Sequence, residues 1–203
     1  MTKLDLKAHH KSLFTARRDI FAEITVPPLP YLMVDGHGDP HNSADYRAAV
    51  ESLFSTAYAI KFAAKADGRD FVVPPLEGLW WADDPADFVA RRKDRWIWTM
   101  MIMMPDFVDA AVFDTGRAKA VAKRGPMAPG LRLEVLEEGP CLQALHIGPY
   151  DAEDPLLADL HDRIMPERGL TFAGHHHEIY LGDPRRTAPD KLRTLLRQPV
   201  KKS

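Results

Sequence analysis

The chain has 203 residues, 45% hydrophobic and 28% charged, with a formal net charge of −2. Those values fit a soluble globular protein with length enough for one full domain or two small ones. They argue against a general nucleic-acid binder, which carries a basic face, and the short basic runs Arg91-Arg92-Lys93, Arg185-Arg186 and Lys201-Lys202 read as solvated surface.

Residues 1 to about 25 read as a polar arm with no assignable structure, and their start lacks the apolar core of a signal peptide. No stretch approaches the ~20 apolar residues of a membrane span. The single Cys141 precludes an intramolecular disulfide and fits a reducing compartment, so a cytoplasmic location is expected. Within its apolar run, Cys141 reads as a small buried filler.

The first predicted strand is Pro30–Asp35, turning at Gly36-His37-Gly38-Asp39-Pro40. Asn42 or Ser43 can cap the helix that follows, in which Ala49, Val50, Leu53, Phe54, Ala57, Ile60 and Ala64 share one stripe. A strand then carries Glu77-Gly78-Leu79-Trp80-Trp81 and runs into Asp83-Asp84-Pro85. Its partner is Trp96–Met104, stopped by Pro105. Asp106–Arg124 reads as a helix, and Gly125–Gly130 as an irregular connection.

The pattern then repeats. Cys141–His146 reads as a strand turning at Gly148-Pro149-Tyr150-Asp151, and an offset of 110 brings Gly38 onto Gly148. Asp154 with Pro155 is a favoured helix start, followed by Leu156, Leu157, Leu160 and Ile164 before Pro166 and Gly169 stop it. Glu178-Ile179-Tyr180-Leu181-Gly182-Asp183-Pro184 echoes the earlier acidic, aromatic motif. Leu192–Val200 has the spacing of either a short helix or a strand, and the repeat favours the strand. The expected fold is therefore α+β: two β-α-β-β modules, about 26–105 and 131–203, joined by the helical segment 106–130. Together they would make one domain, a curved antiparallel sheet with helices on its outer face.

Burying an ionised carboxylate is costly unless something pairs with it. Glu77 and Glu178 among aromatic residues, at matching repeat positions, therefore suggest a pocket for a flat or cationic molecule. Strand alternation puts His176, Glu178 and Tyr180 on one face. It groups Glu77, Leu79 and Trp81 on another, opposite Trp80, and it groups Trp96, Trp98, Met100, Ile102 and Met104. A curved sheet could gather Glu178, Tyr180, Trp81 or Trp80, Trp98 and several methionines on its concave face. Aromatic faces attract cations and planar rings, and methionine is an adaptable wall. Glu178 is then the candidate acid or base and Tyr180 its hydrogen-bond partner. The plainer readings are that the aromatic and methionine strand is core, and that Glu178 reaches water from a strand end. His37 and His146, near the two turns, could line a pocket mouth.

His175-His176-His177 alternates across a strand, and no Cys partner or second His-rich segment completes a zinc site, so no metal is expected. No cofactor is expected either, since the chain has no Gly-rich phosphate loop, nucleophile elbow or Cys–His pairing.

Three stretches carry a resemblance to a known family: Tyr31–Pro40, Pro74–Trp81 and His176–Arg186. Together the chain resembles the GyrI-like small-molecule-binding family, in particular its free-standing members. The resemblance implies a duplicated module with a ligand cleft at the junction of its halves. It further implies a carboxylate at Glu178 that meets cationic aromatic drugs, as in multidrug-binding effector domains. A stand-alone subfamily hydrolyses cyclopropanoid DNA-alkylating compounds with an aromatic cage, a pattern that Trp80, Trp81, Glu178 and Tyr180 fit. The expected ligands are planar aromatic molecules, cationic or electrophilic, with no nucleic acid and no membrane as partner. Catalysis is assigned to Glu178 and Tyr180, and ligand binding to Trp80, Trp81, Trp98, Glu77, Met104 and His146. A non-catalytic drug-sequestering or ligand-sensing protein is the alternative.

Overall fold

The structure, a computed structural model, describes residues 3–84, 87 and 92–203. Pro85 and Arg91, which belong to motifs above, lie outside the described residues. The chain divides into two compact units, residues 1–9 with 29–136, and residues 10–28 with 137–203.

The first unit holds β2 (Leu29–His37), α2 (Ala44–Ala66), β3 (Glu77–Trp81), β4 (Ile97–Met103), α3 (Ala110–Arg124) and β5 (Arg132–Leu136), after a short α1 (Leu6–His9). Its strands pair antiparallel in the order β3-β4-β2-β5. Ser43 caps α2 by accepting from the Tyr46 amide, and Asp109 caps α3 by accepting from the Val112 amide. The segment expected as a linker packs inside this unit. A Cβ on Gly116 of α3 would meet Ile60 of α2 at 2.3 Å, so only glycine lets the two helices approach this closely.

The second unit holds β1 (Ala22–Val26), β6 (Gly139–Ile147), α4 (Asp154–Asp159), β7 (Leu170–Phe172), β8 (His176–Tyr180) and β9 (Arg193–Lys202). Its strands pair antiparallel as β1-β6-β9-β8, with β7 on the far end of β9. The segment expected over Leu192–Val200 is thus strand from Arg193 on, as the repeat favoured. The helix begins at Asp154 with Glu153 before it, so Asp154 is its first residue rather than its cap. Nor does Pro166 end it: α4 continues through a π-helical turn, Leu160–Ile164, and a last turn, Met165–Glu167. Gly169, at φ +61°, follows as the residue able to take a left-handed conformation.

Residues 10–25 of the segment expected as a polar arm pack into the second unit. Phe21 joins Leu142, Ala144, Leu160, Ile164, Met165, Leu196 and Val200 in the core of the second unit. Leu13 and Phe14 are buried as well. Few but large apolar residues fix this segment, and they are diluted in sequence by Lys, Arg and Thr.

The α+β class and the β-α-β-β order are as expected, with β7, β1 and β5 added to the two modules. In each unit the helices cover one face of the sheet. In the first unit that face carries Leu32, Val34, Trp80, Trp98 and Met100. In the second it carries Leu142, Ala144, Glu178 and Leu196. Among the described residues no helix is long and apolar enough to cross a membrane.

Candidate functional site

The two acidic motifs are not equivalent. In the first unit Glu77 pairs with Met101, which pairs with Met33. In the second, the corresponding row is His177, Arg197 and Gln143. The offset that aligns Gly38 with Gly148 also aligns Met33 with Gln143, so Glu77 corresponds to His177 and Gly78 to Glu178. A slip of one residue moves a side chain to the other face of a strand. Glu77 therefore lies on the face of its sheet away from the helices, and Glu178 on the helix-bearing face of its own. The matching repeat position expected for the two carboxylates is corrected by one residue.

The same alternation divides the expected ligand-binding residues of the first unit. Trp80, Trp98 and Met104 belong to the helix-bearing face, Glu77 and Trp81 to the opposite one, so a single face does not gather them. Glu77 is fully buried, and the Tyr31 hydroxyl donates to its Oε2 at 3.4 Å. Trp98, also fully buried, lies flat over Gly36 and donates its indole N–H to the Gly38 carbonyl at 3.3 Å. Tyr46 of α2 meets it edge-on at 5.3 Å and stands 6.3 Å from Trp80, while Trp96 packs edge-on against Trp80 at 5.8 Å. Lys93 caps Trp96 with its ammonium 5.7 Å from the ring centre. Met104 is buried just past the far end of β4, six residues on from Trp98.

In the second unit, the expected Glu178, Tyr180 and His146 do share a face. The Tyr180 hydroxyl donates to Glu178 Oε2 at 2.7 Å. His176 Nε2 stands 3.4 Å from the other oxygen, Oε1, with only 15% of the Glu178 side chain exposed. Tyr180 lies opposite Thr194, and Thr194 opposite His146. His146 Nε2 is 3.3 Å from the Pro149 carbonyl, a contact that requires that nitrogen to carry the proton. The ring so pins the turn that delivers Tyr150, which meets Tyr180 edge-on at 5.6 Å.

Burial first, and then the charge of Glu178, push the Tyr150 phenol up to about 12. Tyr150 is thus a neutral donor at working pH. His161, on the π turn, is pushed down to about 4 by burial and then by His176, so it is a neutral ring. Its Nε2 is buried, as is the Thr194 hydroxyl, and neither has a hydrogen-bond partner among the described residues. A buried polar atom without a protein partner costs about 1–3 kcal/mol, and it marks a place for water or a polar ligand group. Sequence reasoning placed His176 beside Glu178 by alternation without giving it a role. It grouped Trp96 with Trp98 without giving it a role, and it missed Tyr150, His161, Thr194 and Tyr46. The turn after Gly148 was the one available signal for Tyr150.

Elsewhere in the first unit, a depression of about 560 Å³ is lined by His37, Asp83, Asp84, Asp87, Asp94, Arg95 and Ile97. Arg92 and Arg95 both pair with Asp87 there. It holds none of the grouped donors and acceptors seen around Glu178. Among the described residues no cluster of His, Cys, Asp and Glu could hold a metal ion.

The chain matches the sequence model of the GyrI-like small molecule binding domain over residues 21–201. It belongs to that family. A conserved protein of Listeria innocua is 39% identical, with a TM-score of 0.90 over 98% of this chain and 100% of that one. A hydrolase from Listeria innocua is 38% identical, with a TM-score of 0.85 over the same shares. The C-terminal domain of EcmrR, 12% identical with a TM-score of 0.58 over 91% of this chain and 98% of that one, shares the fold. No curated protein matches the chain.

Proposed function

We propose that this GyrI-like protein takes up a planar aromatic electrophile and adds water to it, opening a cyclopropane ring of the cyclopropanoid class. The observation that carries the reading is the Glu178 carboxylate with Tyr180 on one oxygen and His176 beside the other. A carboxylate placed only to balance a drug cation needs no such orientation, whereas a general base does. The 38% identity to a Listeria innocua hydrolase over nearly the whole of both chains supports the same reading.

In the proposed step, Glu178 takes a proton from a water molecule whose oxygen bonds to the cyclopropane carbon. The ring C–C bond breaks, and its electron pair passes into the conjugated ring system of the substrate, ending on the carbonyl oxygen. That oxygen becomes a phenol once protonated, and Glu178 is the group left holding the proton to return. Tyr180 keeps the carboxylate oriented. His146 secures the turn carrying Tyr150, a neutral hydrogen-bond donor near the acid.

The test is mass analysis of a cyclopropanoid substrate after incubation with the protein, read beside tryptophan fluorescence. A product heavier by one water, lost in Glu178→Gln at intact fold and intact quenching, is the expected result. Turnover unchanged in that variant would sink the proposal. Quenching with the ligand recovered unaltered would leave a non-catalytic binding protein instead.

A further inference from the structure

On the side of α2 turned away from the buried Ala49, Leu53, Ala57 and Ile60 runs a ladder of three aromatic rings. Phe54 and Tyr58 stack at 6.5 Å, and Tyr58 and Phe62 at 6.2 Å, with interplanar angles of 30° and 29°. Tyr58 is 45% exposed and Phe62 60%. Phe54, placed by sequence on the core stripe, belongs to this ladder. Single exposed apolar residues are ordinary, but an aromatic row in register along one helix face is not.

The row is flanked symmetrically. Phe54 and Phe62 lie four residues either side of Tyr58, and Glu51 and Lys65 seven residues either side. With about 100° of turn per residue, Glu51, Tyr58, Phe62 and Lys65 fall on one narrow strip of the helix. Glu51 and Lys65 are both exposed.

We propose that this strip is an isologous interface with a second copy of the same chain. The two α2 helices run antiparallel and cross at Tyr58. A two-fold axis there sets Phe54 against Phe62 of the other copy, Tyr58 against Tyr58, and Glu51 against Lys65, twice over. A parallel arrangement sets Glu51 against Glu51 and Lys65 against Lys65, so the charge pattern selects the antiparallel one. An aromatic side chain buries ~150–250 Å² in full, and Tyr58 and Phe62 are about half exposed while Phe54 is less so. Six of them supply well under the ~1,200 Å² of a standard interface. The dimer is therefore weak and depends on protein concentration.

Sedimentation of the full chain across a wide concentration range is the test. The average mass should rise from monomer towards dimer. Glu51→Lys or Lys65→Glu alone, each turning two attractions into repulsions, should weaken association by about tenfold or more, and the double reversal should restore it. Phe62→Glu should keep the chain monomeric. All three positions are exposed, so circular dichroism should be unchanged. A wild-type chain monomeric throughout overturns the proposal, which includes the case of a strip that serves a different protein. So does a dimer indifferent to Phe62→Glu, or a double reversal that fails to restore association.

Discussion

The Tyr180 hydroxyl donates to Glu178 Oε2 at 2.7 Å, from two residues along the same strand and on the same face. A hydrogen bond to a charged group contributes about 1.5–3 kcal/mol, chiefly by holding one orientation. Tyr180→Phe should leave the fold intact and lower kcat by roughly ten- to a hundredfold, with a smaller change in KM. Steady-state kinetics on a cyclopropanoid substrate checks this. A variant with unchanged kcat would remove Tyr180 from the positioning of Glu178.

Trp98 and Gly36 face each other across β2 and β4, with the indole lying where a side chain at 36 would go. A Cβ on Gly36 would come within 2.1 Å of the ring. Gly36→Ala must displace Trp98, its hydrogen bond to Gly38 and its edge contact with Tyr46. Overpacking of this kind costs about 1–3 kcal/mol. Denaturant unfolding followed by tryptophan emission should show that loss. Gly182→Ala, where the nearest atom to a Cβ is the Thr187 hydroxyl at 3.4 Å, should change stability little.

Hydrophobic periodicity, paired turns and the long repeat made the order of elements legible, because each rests on local chemistry that the fold leaves intact. Strand register is set by pairing between segments far apart, and the sequence carried it only through the repeat. An alignment of carboxylate with carboxylate was the natural choice there, and it erred by one residue. That error sufficed to move Glu77 to the other face from Glu178. Gly78 and Trp80 occupy in the first unit the positions that Glu178 and Tyr180 hold in the second, so the carboxylate with its phenol partner occurs in one copy alone. Glu178 with Tyr180 was legible from simple alternation. Tyr150, His161 and Thr194 reach the same region from a turn, a helix and another strand, with no shared local pattern to reveal them.

Cys141 is buried in β6, and its thiol is pushed up to about 12, first by burial and then by the Glu138 carboxylate. Only the thiolate reacts readily. Ellman's reagent should therefore label the native chain very slowly, and one thiol per chain at once in denaturant. Fast labelling of the native chain would contradict that burial.

On the helix-free face of the second unit, Arg197 donates to Glu138, to Gln143 and to the Leu13 carbonyl, each at 2.8–2.9 Å. His177 Nδ1 is 2.9 Å from the other Glu138 oxygen, and Gln143 donates to the carbonyls of Ser12 and Thr15. This network fastens residues 12–15 to β6 and β9. Burial alone would raise the Glu138 carboxyl, but the His177 ring and then the Arg197 guanidinium outweigh it and hold it at about 2, below the ordinary 4.5. A folded value below the unfolded one gives stability that is fully present above about 4.5 and is lost as pH falls from there through about 2. Acid unfolding should steepen across that window, and Glu138→Gln should flatten it. The variant should also lose about 3–5 kcal/mol at neutral pH, since Arg197 stays buried without its charge partner. Guanidinium unfolding at pH 7 and at pH 3, for both proteins, separates the two effects. Equal sensitivity to acid in both would place the titrating group elsewhere.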